Sequence, residues 1–191
     1  MTEKRVSPWV PVVAVALLQT LALGWMVGER ISLMASGREI VLDVTPVDPR
    51  SLFRGDYVIL NYRAIAQLDG ALLSEPAQDD EVLYVTLRQE AGGAWTPVAA
   101  SRAKPSQPAA GDVVLKGRVA GIWKAGGNEP AKVRMRYGIE SYFVPEGAGK
   151  DLEQKIREGE LKVIIAVGLT GEAAIKGLEV AGKRIYDEPL L

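Results

Sequence analysis

The 191-residue sequence contains no cysteine and no histidine. Without cysteine there are no disulfides and no thiolate metal sites, so the folded part depends on its hydrophobic core. Without histidine there is no Ser-His-Asp triad, no histidine general base and no histidine ligand for zinc or haem. No acidic loop has the ligand spacing of a calcium or magnesium site. We therefore predict neither a metal nor a cofactor.

The sequence also lacks an excess of charge of either sign. Its 23 Lys and Arg residues almost balance its 24 Asp and Glu residues, which leaves a net charge of −1. A nucleic-acid-binding surface needs a basic excess to contact phosphates, so we do not expect a nucleic-acid partner.

One long segment, from Val6 to Gly28, lacks charge altogether and lies between Arg5 and Glu29. A helix of this length extends about 34 Å at about 1.5 Å per residue. That is enough to cross a hydrocarbon core of roughly 30 Å. Lys4 and Arg5 precede the segment, so the positive-inside rule predicts a cytoplasmic N-terminus.

This segment divides the chain into four predicted regions. They are a cytoplasmic N-terminus (1–5), a transmembrane anchor (6–28), a stalk or helix extension (29–37) and an extracytoplasmic β-rich domain (38–191). A cleaved signal peptide is the alternative, but its apolar segment usually runs about 7–15 residues, so an uncleaved signal anchor is favoured. Gln19 and Thr20 are either tolerated polar residues or mark a face that contacts a partner helix.

The predicted domain consists of short β-branched segments separated by glycine-rich turns. The clearest strands cover residues 82–88, 132–139 and 161–169, and the helical pattern covers 150–158. We expect bulges at Gly117 and Gly121. The predicted fold is mainly β with one short helix, an antiparallel sandwich or partly open barrel, preceded by one N-terminal transmembrane helix.

The most specific pattern runs from Gly55 to Tyr62. Gly55 permits backbone conformations that other residues resist, and Asp56 can accept hydrogen bonds from the N–H groups of a turn. On the strand that follows, Leu60 and Tyr62 point to one side and Tyr57 to the other. The pattern is either a fold-specifying corner with a buried tyrosine hydroxyl, or the lining of a ligand or peptide groove.

This segment resembles the signature of the GDYXXLXY family of membrane-anchored proteins. The matching residues are Gly55, Asp56, Tyr57, Leu60 and Tyr62. The flank at 46–50 and a second segment extend the resemblance along the chain; the second segment contributes Tyr142, Phe143, Pro145, Glu146 and Gly147. The resemblance implies membrane anchorage and a polytopic membrane partner rather than a particular activity. It also suggests a bacterium, and with it an inner-membrane location and a periplasmic domain.

A weaker resemblance connects the chain with type I signal peptidases, which have an N-terminal anchor, a β-rich outer domain and a Ser/Lys dyad. Residues 47–56 are similar to the segment around their serine, and residues 116–121 to the segment around their lysine. The dyad would then consist of Ser51 and Lys116. The family's serine aligns upstream of Ser51, however, and a later Gly-Asp-Asn block has no counterpart. The resemblance therefore implies a related fold more than peptidase activity.

Together these patterns predict a membrane-anchored extracytoplasmic interaction or accessory module that is not an enzyme. Its expected partners are the lipid bilayer and a polytopic membrane protein. The alternative is a divergent or degenerate signal-peptidase-like hydrolase that uses a serine and a lysine.

Overall fold

The structure, a computed structural model, describes residues 9–45, 57–123, 131–143 and 149–188. It begins with helix α1, Trp9–Ser36, which covers most of the predicted anchor and continues through residues 29–36. The N–H of Gly37 donates to the carbonyl of Leu33 at 2.9 Å, and the chain bends there. The residues after the uncharged segment are therefore helical up to Ser36.

Short strands make up most of the remaining described chain. They are β1 (Arg38–Thr45), β2 (Tyr57–Ile59), β3 (Asn61–Tyr62), β4 (Gln67–Asp69), β5 (Val82–Gln89), β6 (Trp95–Ser101), β7 (Val113–Trp123), β8 (Lys132–Arg136), β9 (Ser141–Phe143), β10 (Leu161–Val167), β11 (Ala173–Val180) and β12 (Lys183–Asp187). A second helix, α2 (Gly149–Arg157), lies between β9 and β10.

The described strands form three sheets. The first sheet has the order β12-β11-β10-β1-β3, the second has the order β4-β8-β7-β5-β6, and the third pairs β2 with β9. Every pairing between these strands is antiparallel. The prediction of a mainly β, antiparallel fold with one short helix after an apolar N-terminal helix is confirmed.

A single hydrophobic core connects the sheets. Strand β8 has the expected alternation, because Val133 and Met135 are buried whereas Arg134 and Arg136 are exposed. Strand β10 is buried along almost its whole length, as its apolar sequence predicts. It lies between β11 and β1 and is also contacted by α2 and by the end of α1, so both of its faces are covered.

Two expectations about glycines had different outcomes. The register between β7 and β8 shifts between Val119 and Gly121, which confirms a bulge at that position. The bulge predicted at Gly117 is wrong, since Gly117 pairs with Leu83 in regular register. A Cβ atom on Gly117 would lie 2.7 Å from the ring of Tyr137, so close packing is the reason for a glycine there.

The strand expected at residues 57–62 is divided at Leu60. Residues before Leu60 pair with β9, and residues after it pair with β1. The segment is divided because its two halves pair with strands of different sheets. A local sequence pattern does not encode which distant strand a segment pairs with.

Candidate functional site

The two segments that resemble the GDYXXLXY family lie next to each other. Strand β2 pairs with β9 in a register that places Tyr57 opposite Phe143 and Ile59 opposite Ser141. These residues are more than eighty positions apart in the chain, and the pairing brings the middle of the first segment against the start of the second. Backbone hydrogen bonds therefore join the two segments directly.

The next residues of the first segment bind the turn between β8 and β9. The N–H of Leu60 donates to the carbonyl of Glu140 at 2.9 Å. The hydroxyl of Tyr62 donates to the carbonyl of Ile139 at 2.6 Å, in a position where Tyr62 is only 2% exposed. Burial, and then the charge of Glu140, raise the pKa of Tyr62 well above its ordinary value, so this hydroxyl stays protonated and donates.

The carboxylate of Glu140 holds the same turn from its other side. It accepts hydrogen bonds from the N–H groups of Tyr137 and Gly138. Gly138 has a φ of 81°, a left-handed conformation that favours glycine. The hydroxyl of Tyr137 donates to the carbonyl of Ile65 at 3.1 Å and is buried. We call the contacts of Leu60 and Tyr62 with Ile139 and Glu140 the motif clasp.

Several predicted site residues lie outside the described residues: Ser51, Gly55, Asp56, Pro145, Glu146 and Gly147. Tyr57 is described through its backbone pairing alone. Leu60 and Tyr62 face the core, as the corner interpretation expects, and Tyr62 is not available to line a groove.

The aromatic pair in the second segment points in two directions. Tyr142 is 8% exposed, whereas the neighbouring Phe143 is 81% exposed. Burial, followed by a hydrogen bond with Glu188, raises the pKa of Tyr142 to about 12. The alternation of a strand explains the difference, because successive side chains leave opposite faces. The second segment thus supplies one core residue and one surface residue.

Lys116 lies on β7 and its side chain is 39% exposed. Its Nζ atom is 3.3 Å from the carboxylate of Glu172. A lysine that acts as the base of a Ser/Lys dyad is desolvated and adjoins the serine. The described surroundings of Lys116 instead provide a solvent-accessible ion pair. Among the described residues no group of three or more His, Cys, Asp or Glu side chains could hold a metal ion.

Most of the large apolar side chains that the described chain leaves exposed lie on α1. Its large apolar side chains from Trp9 to Val27 are all at least 50% exposed. Among the described helices, α1 is long and apolar enough to cross a membrane. A helix that is apolar on all sides requires an apolar environment around it.

Two polar side chains interrupt this surface near its middle. The hydroxyl of Thr20 donates to the carbonyl of Ala16 at 2.9 Å, so the helix itself satisfies it. The amide of Gln19 has no hydrogen-bond partner within the described part of the chain. Gln19 therefore has unused donors and an unused acceptor on an otherwise apolar helix.

Sequence reasoning overlooked two glycines on the same helix. Gly24 and Gly28 continue the spacing of four that begins with Ala16 and Thr20, and this spacing was the available signal. Within the described chain, no atom lies within 4 Å of the position that a Cβ would take on either glycine. Small residues at this spacing let the backbone of a second helix approach closely.

The C-terminal turns of α1 attach the helix to the β-rich domain. Met34 is 2% exposed, and the end of the helix packs against β10 and β11. A Cβ on Gly168 would lie 3.0 Å from Cδ1 of Leu33, so the turn after β10 also contacts the helix. These contacts fix the direction in which the helix leaves the domain.

Comparison with known protein families gives a match over most of the chain. A family model described as GDYXXLXY protein matches residues 19–178, which extend from the middle of α1 into β11. No curated protein and no solved structure matches the chain.

Proposed function

Because the chain belongs to the GDYXXLXY family, we propose that it is a membrane-anchored accessory subunit of a polytopic membrane protein and is not itself an enzyme. In this proposal α1 spans the inner membrane of a bacterium as an uncleaved anchor. Lys4 and Arg5 keep the N-terminus in the cytoplasm, and the β-rich domain lies in the periplasm.

The observation that carries the proposal is the amide of Gln19. It lies close to the centre of the uncharged segment and has no partner within the described chain. An unsatisfied polar group in hydrocarbon costs several kcal/mol, so a helix from another membrane protein is a favourable source of hydrogen bonds. Measured side-chain hydrogen bonds between membrane helices contribute about 0.6 to 2 kcal/mol. One such bond biases helix association without making it irreversible.

Gly24 and Gly28 provide a second surface for helix contact, because at about 100° per residue they lie roughly 140° and 180° around α1 from Gln19. The space around both glycines is open within the described chain, so a partner helix can come close to the backbone of α1. Close approach increases van der Waals contact, which is a main source of association energy in lipid. A polytopic partner has several helices, so one of them can bind the amide of Gln19 and another can pack against the glycines.

The motif clasp supports a structural role for the signature segment. Leu60 and Tyr62 are buried, and their hydrogen bonds hold a turn of the domain itself. We therefore assign the partner contact to the anchor and assign the clasp to the stability of the domain. The hydrolase alternative requires Ser51 and Lys116, and the exposed ion pair of Lys116 with Glu172 does not favour it.

The test is to purify the full-length protein in a mild detergent and to identify co-purifying proteins by mass spectrometry. The decisive variant is Gln19→Ala, and the matched control is Leu18→Ala. Leu18 is 68% exposed and lies about 100° around the helix from Gln19 and roughly 80° to 120° from the two glycines, so its truncation changes neither proposed contact.

We expect a polytopic membrane protein to co-purify with the wild-type chain and with Leu18→Ala, and its recovery to fall severalfold with Gln19→Ala. Recovery that is the same for all three proteins would show that Gln19 is not at the interface. Recovery of no membrane protein from any sample would contradict the proposed accessory role, and hydrolysis should then be tested with Ser51→Ala and Lys116→Ala.

A further inference from the structure

A groove of about 510 Å³ lies between the end of α1 and the β-rich domain. Glu29, Leu33 and Ser36 line the helix side of this groove. Part of the opposite wall comes from two segments, residues 103–111 before β7 and residues 168–171 between β10 and β11; Arg38, Asp112 and Glu172 also line the groove. We call these two segments the lip.

The second segment of the lip is attached to the second sheet. The N–H of Lys116 donates to the carbonyl of Gly171 at 2.7 Å, which fastens the second segment to β7. Gly171 has a φ of 90°, and a Cβ there would lie 3.1 Å from the nitrogen of Lys116. A side chain is therefore excluded at Gly171, and the turn lies close against the second sheet.

Along the axis of α1, the lip lies near the end of the uncharged segment. Gly168 contacts Leu33, which follows Gly28 by five residues, about 7.5 Å along a helix. The polar layer on each side of a bilayer is roughly 5–7 Å thick. The groove also reaches down to Glu29, the first charged residue after the uncharged segment.

The chemistry of the lip differs from that of the rest of the domain. Residues 103–111 and 168–171 contain no Asp or Glu, and Lys104 is their one charged residue. Leu169 is 94% exposed at the tip of its turn. Lys104 donates a hydrogen bond to the carbonyl of Leu169, so a cation and an exposed leucine are presented together.

We propose that the lip contacts the surface of the lipid bilayer beside α1. Leu169 enters the interfacial layer, where an apolar side chain is removed from water, and Lys104 interacts with lipid phosphates. The lip and α1 together then hold the domain at two points, which sets its orientation above the membrane. This inference rests on the proposed membrane anchorage of α1.

The absence of cysteine makes a direct test possible, because a single introduced cysteine is the only site of thiol labelling. We would spin-label three variants of the full chain, Leu21→Cys, Leu169→Cys and Lys183→Cys. They would be reconstituted in vesicles of phosphatidylethanolamine and phosphatidylglycerol. Lys183 is exposed at the hairpin between β11 and β12, at the opposite end of β11 from the lip. Collision rates with oxygen and with a water-soluble nickel chelate then report the surroundings of each label.

We expect the label at position 21 to be shielded from nickel, and the label at 183 to be fully accessible to it. The label at 169 should collide with nickel severalfold less often than the label at 183. Equal nickel access at 169 and 183, with position 21 shielded, would overturn the lip proposal and leave the anchorage intact. Nickel access at position 21 would overturn the anchorage itself.

A second variant tests the role of the cation. In the chain labelled at 169, Lys104→Gln should increase nickel access at the label, because one contact with lipid phosphate is lost. Lys162→Gln is the control, since Lys162 is an exposed lysine on β10 that pairs with Asp43. The same nickel access with Lys104→Gln as with the control would refute the assignment of Lys104 to lipid phosphates.

Discussion

Replacing Tyr62 by phenylalanine removes one atom from the motif clasp and leaves the packing of the ring unchanged. The lost hydroxyl donates to the carbonyl of Ile139 at 2.6 Å in a position that is 2% exposed. Water does not reach this carbonyl easily, so the substitution leaves a buried acceptor without its donor. The cost of such a loss is about 1–3 kcal/mol. We expect the free energy of unfolding to fall by that amount.

The matched control is Tyr84→Phe. Tyr84 lies on β5, is half-buried and makes no hydrogen bond through its hydroxyl within the described chain. Loss of that hydroxyl should change the free energy of unfolding by less than about 0.5 kcal/mol. Urea unfolding of both variants and of the wild-type chain, in the same detergent and followed by near-UV circular dichroism, gives the comparison. For a domain of this size, each kcal/mol also lowers Tm by about 2–4 °C.

Equal stability of Tyr62→Phe and Tyr84→Phe would refute the reasoning about the clasp. Equal stability would mean that water replaces the lost hydrogen bond of the Tyr62 hydroxyl at no cost in stability. The role of the signature segment would then depend on a different contact. A loss confined to Tyr62→Phe would instead establish the clasp as a source of domain stability.

Three further outcomes follow from the structure. Gly117→Ala places a Cβ 2.7 Å from the ring of Tyr137, so it should lower the free energy of unfolding by about 1–3 kcal/mol in the same urea titration. Gly121→Ala is the control and should have a much smaller effect, because its Cβ meets no described atom within 4 Å. Burial and a hydrogen bond with Glu188 raise the pKa of Tyr142 from 10.0 to about 12, so its contribution to the free energy of unfolding should be constant below pH 10 and decrease between pH 10 and about 12; over this range the free energy of unfolding should therefore decrease less steeply in Tyr142→Phe. Lys116→Ala removes an exposed ion pair, so it should cost at most about 1 kcal/mol in urea unfolding and leave recovery of the co-purifying membrane protein unchanged.

Part of the candidate site was predictable from residue types alone. The signature residues identified the family, and the strand pattern placed Leu60 and Tyr62 on one side. The choice between a corner and a groove stayed open because the partner of the Tyr62 hydroxyl is Ile139, seventy-seven positions away. The spacing of Gly24 and Gly28 could be read from the sequence. The open space around both glycines became apparent only from the structure of α1 and its surroundings.

Local patterns were sufficient for several elements of this protein. The uncharged segment from Val6 to Gly28 indicated a long apolar helix, and the alternation through 132–139 indicated which side chains of β8 are buried. Residues 150–158 indicated the short helix, and the continuous apolar sequence of β10 indicated a strand covered on both faces. These inferences succeeded because helix and strand periodicities are properties of neighbouring residues.

Tertiary contacts decided the features that involve distant residues. The division of residues 57–62 at Leu60, the need for glycine at position 117 and the junction of the two family segments all depend on which surfaces meet. The same holds for Leu169, whose position beside α1 follows from the contact of Gly168 with Leu33. The periodicity of a sequence indicates which side of a helix or strand is apolar. Which residues that side contacts is determined only by tertiary packing.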